Sequence, residues 1–286
     1  MISSDLRLSH ADCILFVPGN RPERFDKAFA AGAAGVVIDL EDAVAPADKP
    51  AARRAAADWL AARRGDGQGG RGAMALVRLN PPETRDGLDD LCMLADRGFA
   101  ADALFLAKVE SGRDIALARA HDPESRPLAV AVETARGLAA LASIGAAMRP
   151  CDVLVFGGAD LAADLGAEFA WEPLLSARCA LVQAAAEAGV GLLDVPWLDL
   201  NDTHALAAEA RRVRALGFSG KIAIHPAQVG PIRAAFAPAP QEVERARRIV
   251  AAMAEGAGAV RLDGRMIDAP LLRSAQRMLA RGGYEP

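Results

Sequence analysis

The chain has 286 residues, 52% of them hydrophobic, and a formal net charge of −4. That length can bury a large core and suits one α/β barrel, while the small negative charge argues against a nucleic-acid or anionic-membrane partner. The opening MISSDLRLSHAD lacks a hydrophobic signal core, and no apolar run approaches the ~20 residues of a membrane span, so a soluble, cytoplasmic protein is expected.

The first strand is predicted at Cys13–Val17, ended by Pro18-Gly19-Asn20, with a helix from Pro22 to about Ala31. A second strand, Gly35–Leu40, runs into Glu41-Asp42, and a helix follows from about Lys49 to Arg64. The glycine-rich Gly65–Gly72 reads as a surface loop, because the same pattern resumes after it. Strands at Met74–Leu79 and Ala103–Ala107 follow, with helices from about Gly87 to Arg97 and from Gly112 to Ala120. Two more strands are expected at Leu128–Val132 and Asp152–Phe156. A short helix after Asp160 and a longer one from Pro173 to Ala188 lead to Val190–Val195. A helix from Asp202 to Leu216 precedes the eighth strand, Lys221–Ile224. The basic pairs Arg53-Arg54, Arg63-Arg64 and Arg211-Arg212 fall in helix-like segments and read as solvated faces. The four cysteines, Cys13, Cys92, Cys151 and Cys179, have no metal-site spacing and are expected to be reduced and mostly buried.

Eight short apolar strands alternating with helices imply a parallel sheet closed into a TIM (β/α)8 barrel, of α/β class. Polar residues gather after the strands: Glu41, Arg78, Lys108, Glu133, Asp160, Asp194 and His225. In such barrels the βα loops at that end build the active site. Glu133 and Asp160 follow neighbouring strands, so two carboxylates meet at one edge, an arrangement suited to a hard cation such as Mg2+. The competing reading has each acid merely capping the helix that follows it. His225 is expected to be a hydrogen-bonded structural histidine, and Trp197 a loop-packing residue.

Residues 1–236 are thus read as the barrel and 237–286 as a C-terminal helical and hairpin extension of the same domain. It holds an amphipathic helix over Pro240–Ala254, a hairpin around Asp263-Gly264 and a final helix capped by Asp268. So short a tail must dock on something, its own barrel mouth or a neighbour's.

The segments LFVPGNRPERFDKA, VVIDLEDAVAPADK, VRLNP, KVES, VETARG, DLAADLGA, LGFSGKIAIHPAQV and LDGRMIDAPLL resemble the citrate lyase β-subunit-like CoA-ester lyases, from Leu15 to Leu279. The resemblance implies a Mg2+-dependent Claisen-type reaction that cleaves or forms a 3-hydroxyacyl-CoA, with an acyl-CoA enolate and a 2-oxo acid as the halves. It implies Glu133 and Asp160 as Mg2+ ligands, with Glu133 also at the substrate. Arg78 matches the arginine that binds the oxo-acid carboxylate, and Asp268 the acid/base, supplied by the adjacent subunit of a trimer or hexamer. Arg24 and Lys27 match CoA contacts.

The chemistry suits these roles: a metal acts as Lewis acid, a planar guanidinium grips a carboxylate, and a nearby carboxylate moves the proton. Glu41 and Asp42 are expected behind them, holding Arg78 or water. One departure stands out, since relatives read Gly-Ala-Glu-Asp-Leu where this chain has Ala159 before Asp160. A thioesterase acting on malyl- or citramalyl-CoA, a malate synthase-like condensation and an accessory citrate lyase subunit are the alternatives.

Overall fold

The computed structural model describes residues 7–65, 72–96, 98–255, 259–281 and 284. Most of the glycine-rich stretch expected as a loop, residues 66–71, and the first six residues lie outside that set. Eight parallel strands close in sequence order into one barrel: β1 (Cys13–Pro18), β2 (Gly35–Asp39), β3 (Met74–Leu79), β4 (Ala103–Leu106), β5 (Leu128–Val132), β6 (Val153–Phe156), β7 (Gly191–Asp194) and β8 (Gly220–Ala223). The helices between them are α1 (Phe25–Phe29), α2 (Lys49–Gly65), α3 (Arg85–Asp96), α4 (Gly112–Ala120), α5 (Ala135–Ala139), α6 (Leu141–Ala147), α7 (Gly158–Leu165), α8 (Trp171–Ala188) and α9 (Thr203–Leu216). The chain is therefore the expected TIM barrel.

Strand alternation sorts the side chains. Ile14, Val37, Leu76, Phe105, Ala131, Val155, Leu193 and Ile222 meet inside the barrel, and their neighbours pack outward beneath the helices. Both faces are buried, which is why these strands are nearly continuous apolar runs. No helix among the described residues is long and apolar enough to cross a membrane.

Four details differ from expectation. The helix after β1 is short: a 3-10 turn over Pro22–Arg24 and then only Phe25–Phe29. After β8 comes an unanticipated helix, α10 (Pro226–Phe236), which starts on Pro226 and tolerates Pro231 inside it. Arg53 is not on a solvated face but is buried in an ion pair with Asp90, and it also meets Asp86. The cysteines are all free, but Cys92 and Cys179 are exposed, because they fall on the outer sides of α3 and α8.

Beyond the barrel lie α11 (Pro240–Glu255), the hairpin β9 (Val260–Leu262) and β10 (Arg265–Ile267), and α12 (Ala269–Arg281). The two residues of the hairpin turn, Asp263 and Gly264, both have positive φ, the conformation a tight two-residue turn demands. Val243, Ala246, Ile249, Ile267, Ala275 and Leu279 give this segment a small core of its own.

Candidate active site

Interior-facing positions at the C-terminal ends of the strands carry polar groups instead of apolar ones. Asp39 lies two residues after Val37, Arg78 two after Leu76, and Glu133 two after Ala131, so period-2 alternation aims all three into the barrel mouth. They line a cavity of about 430 Å3, together with Asp42, Asp160 and a largely apolar wall.

Arg78 is held by two acids. Its Nε and Nη2 donate to the two oxygens of Asp39 at 2.6 and 2.7 Å, and its Nη1 lies 2.9 Å from Glu41 Oε2. Asp39 also accepts from the backbone N–H groups of Glu41 and Ala43, at 2.9 and 3.2 Å. This 1% exposed carboxylate is thereby fully satisfied. The guanidinium rests over the Phe16 ring, 5.1 Å from its centroid. Glu41 therefore holds Arg78 together with Asp39. Asp39 was not anticipated as a site residue, although an acid two positions beyond an interior valine was the signal for it.

Lys108 ties the cluster to Glu133. Its φ of +49° puts a non-glycine residue in the left-handed region. That conformation lets its backbone N–H donate to Glu133 Oε1 at 2.6 Å, while its ammonium binds Glu41 and reaches Asp42 at 3.4 Å. Burial pushes the Glu41 carboxyl up and the Asp42 charge adds to this, against the pull of Arg78 and Lys108. Burial also opposes the charge of Asp42, but the hydrogen bond with Glu41 and the nearby Lys108 and Arg78 cations hold that carboxyl below its ordinary range.

Glu133 does not cap the helix after it. Thr134 is the N-cap of α5, accepting from Gly137 N–H, and leaves Glu133 to face the cavity. Burial pushes the Glu133 carboxyl up to about 7. The charges of Asp160 and Glu41 add to this, and Arg78 and the Lys108 amide oppose it. Asp160 sits in the first turn of α7, and no hydrogen bond reaches its carboxylate among the described residues. Strands β5 and β6 pair Val132 with Phe156, which brings the two acids to one edge. No group of three or more His, Cys, Asp or Glu side chains is arranged for a metal among the described residues. A two-carboxylate pair fits a cation that keeps water and substrate oxygens in its shell, as Mg2+ does. Mutual repulsion between two acids in an apolar cavity is what such a cation relieves.

Gly157 is part of this geometry, since a Cβ there would sit 2.2 Å from Glu133 Cβ and 2.4 Å from its Oε2. Gly157→Ala is therefore expected to swing Glu133 away and cost roughly 1–3 kcal/mol of stability. Calorimetric Mg2+ titration of a folded Gly157→Ala protein should show binding weakened tenfold or more; wild-type affinity would contradict the placement.

Other anticipated residues lie elsewhere. Asp194 points outward, because Leu193 is the interior residue, and it is buried against Arg178 and Lys221 beneath the outer helices. It is thus structural and not a mouth residue. His225 caps α10, accepting from Ala227 N–H at 3.2 Å, and the partly buried Trp197 packs against the hydrophobic core, so both have the structural roles expected. Arg24 and Lys27 are exposed after β1 and do not line the cavity. Asp268 is exposed at the N-cap of α12, with its Oδ1 3.4 Å from Leu271 N. Ser274, Arg277 and Met278 of α12 border a cleft with His10, Asp12 and Ser219, at the opposite end of the barrel from the cavity. Asp268 does not enter the cavity of its own chain.

Residues 12–226 match the HpcH/HpaI aldolase/citrate lyase family. The chain belongs to this family. A citrate lyase subunit beta-like protein of Mycobacterium tuberculosis is 38% identical over 277 residues, 94% of either chain. A (3S)-malyl-CoA thioesterase of Cereibacter sphaeroides is 34% identical over 274 residues, covering 94% of this chain and 93% of that one. The crystal structure of CitE from M. tuberculosis in complex with magnesium, acetoacetate and coenzyme A superposes with a TM-score of 0.78 at 37% identity, covering 96% of this chain and all of that one. As a member of the HpcH/HpaI aldolase/citrate lyase family the protein is an enzyme, and the family's homologous structures are complexed with magnesium.

Proposed function

We propose that the protein is a Mg2+-dependent CoA-ester lyase that cleaves, or forms, a 3-hydroxyacyl-CoA. The observation that carries this reading is the convergence of Glu133, Asp160 and a doubly anchored Arg78 on one cavity in a chain of this family. In cleavage the hydroxyl loses its proton and the bond between C2 and C3 breaks. The electron pair passes to the thioester enolate, which takes a proton at C2, leaving acyl-CoA and a 2-oxo acid. Glu133 and Asp160 would hold Mg2+, which supplies Lewis-acid stabilisation of the oxygen that gains charge. Arg78 keeps N–H groups for the acid's carboxylate, and Asp39 and Glu41 fix its plane. The apolar wall excludes water from the enolate. Arg24 and Lys27, outside the cavity at the same barrel end, would meet the CoA portion.

Asp268 is the proposed proton donor to the enolate carbon. Its position away from its own cavity supports delivery from a neighbouring chain, in an oligomer most simply a trimer. Mixing Asp268→Ala and Arg78→Ala proteins under subunit exchange should restore part of the activity. Proven mixed oligomers without recovery would defeat the shared site.

The test of the reading is an assay of purified protein with Mg2+ against several hydroxyacyl-CoA esters, following the 2-oxo acid. Asp160→Ala should abolish both Mg2+ binding and turnover. Release of free hydroxy acid in place of oxo acid would favour a thioesterase, the activity named for the C. sphaeroides relative. Retention of Arg78, Glu133, Asp160 and Asp268 together speaks against an accessory subunit without chemistry of its own.

A further inference from the structure

The site has two halves on either side of β4. Arg78 and its anchor Glu41 stand at the ends of β3 and β2, Glu133 and Asp160 just past the ends of β5 and β6. Between them β4 offers the cavity only the apolar Phe105. Lys108, two residues past the end of β4, is not among the residues that line the cavity, yet it binds both halves. Its backbone N–H donates to Glu133 Oε1 at 2.6 Å. Its ammonium binds Glu41 Oε1, while Glu41 Oε2 lies 2.9 Å from Arg78 Nη1.

The backbone of Lys108 is held in a conformation lysine does not favour. A φ of +49° strains an L residue, and lysine lacks the short polar side chain by which Asn and Asp ease it. In a continuing strand, successive N–H groups point to opposite sides. Here the N–H of Val109 donates to the Ala131 carbonyl at 3.0 Å, so the Lys108 and Val109 N–H groups both turn toward β5. Glycine would take this turn without strain. What lysine supplies and glycine cannot is a grip on Glu41. An exposed ion pair is worth little, but Glu41 is buried and is shared with the guanidinium. Without the ammonium, Glu41 has Arg78 as its remaining cation and pulls its N–H groups from the ligand's side. The strained turn also loses its fastening, and with it the amide that holds Glu133.

Granted the lyase reading, we propose that Lys108 is a positioning residue that fixes the spacing between the two halves of the site. Its left-handed turn sets Glu133 for the metal, and its ammonium sets Arg78, through Glu41, for the oxo acid.

The experiment separates the two ties with Lys108→Gly, Lys108→Met and Lys108→Arg in the full-length protein. Each is read by calorimetric Mg2+ titration, by pyruvate titration of the Mg2+-loaded protein, and by kcat and KM on an ester that the wild type cleaves. Lys108→Gly keeps the turn and loses the ammonium, so its Mg2+ affinity should stay within about threefold of wild type. Its pyruvate affinity should fall, and its KM rise, by about tenfold or more. Lys108→Met keeps the strain without the fastening and should lose about tenfold or more in Mg2+ affinity as well. Lys108→Arg restores the cation and should recover most of that loss. A residue that only stabilised the fold would lower Tm in the Gly and Met variants and leave the affinities of the folded proteins at wild-type values. That result, or equal Mg2+ affinity in the Gly and Met variants, overturns the proposal and leaves the lyase reading standing. Wild-type protein that binds Mg2+ and cleaves no ester removes the lyase reading alone, and the difference in Mg2+ affinity between the Gly and Met variants still decides the role of Lys108.

Discussion

Arg78→Lys should lower kcat/KM on an active ester by about a hundredfold or more, on the scale of removing one preorganised donor from a developing oxyanion. Lysine keeps the charge but not the planar fork. One ammonium cannot satisfy both oxygens of Asp39, reach Glu41 and still present two donors to a ligand. The loss of activity comes with a loss of stability, because Asp39 and Glu41 are 1% and 3% exposed and depend on the guanidinium. Breaking such buried pairing costs on the order of 2–4 kcal/mol, so Arg78→Lys should fold with a visibly lower Tm. Unchanged kcat/KM would remove Arg78 from the site, and an unchanged Tm would contradict its structural part.

Glu133→Gln should stabilise the metal-free protein at high pH while abolishing Mg2+ binding. Folding raises the Glu133 carboxyl from near 4.5 to about 7, chiefly through burial. Below pH 4.5 the group is protonated in both states and contributes no penalty. As pH rises through the window from 4.5 to 7 the unfolded chain ionises first, so folding stability falls, and above 7 the loss is complete. A shift of this size corresponds to about 3 kcal/mol. Glutamine can keep the bond from the Lys108 amide without the charge. In urea unfolding with chelator, Glu133→Gln should exceed wild type by about 3 kcal/mol at pH 8 and by about 1 kcal/mol or less at pH 5. Mg2+ should restore wild type and leave the variant unmoved. A variant less stable than wild type at pH 8 would contradict this account of the site.

The barrel was legible because its eight strands are short Val- and Leu-rich runs buried on both faces, each ending in polar or glycine residues. The helix α10 was not, since Pro226, Gly230 and Pro231 read as breakers. In the fold Pro226 takes the first turn, where its missing N–H costs nothing. Glu133, Asp160 and Arg78 were legible from strand ends and family motifs. Asp39 was hidden because it is the last residue of β2 itself, beside the more conspicuous Glu41-Asp42. Asp194 misled for the related reason that a strand end alone does not say which face a residue takes. Leu193 is inside, so Asp194 is outside with Arg178 and Lys221. The hairpin at Asp263-Gly264 was read directly from its turn residues, whereas the end of the barrel that α12 lies against had no sequence signal.

The separate small core of the C-terminal segment has a consequence for how the molecule opens. Six buried apolar side chains hold α11, the hairpin and α12 together, against several dozen in the barrel, as counted among the described residues. Little surface is exposed when that segment loosens, so its amides exchange with solvent through partial openings that leave the barrel shut. Unfolding is then expected to run in two tiers that one free energy does not describe. The aromatic residues separate the tiers. All three tryptophans, Trp59, Trp171 and Trp197, belong to the barrel, while the single tyrosine, Tyr284, lies by Arg247 of α11. Tryptophan fluorescence should follow the melting of the barrel, and tyrosine fluorescence an earlier release of the segment that carries Asp268.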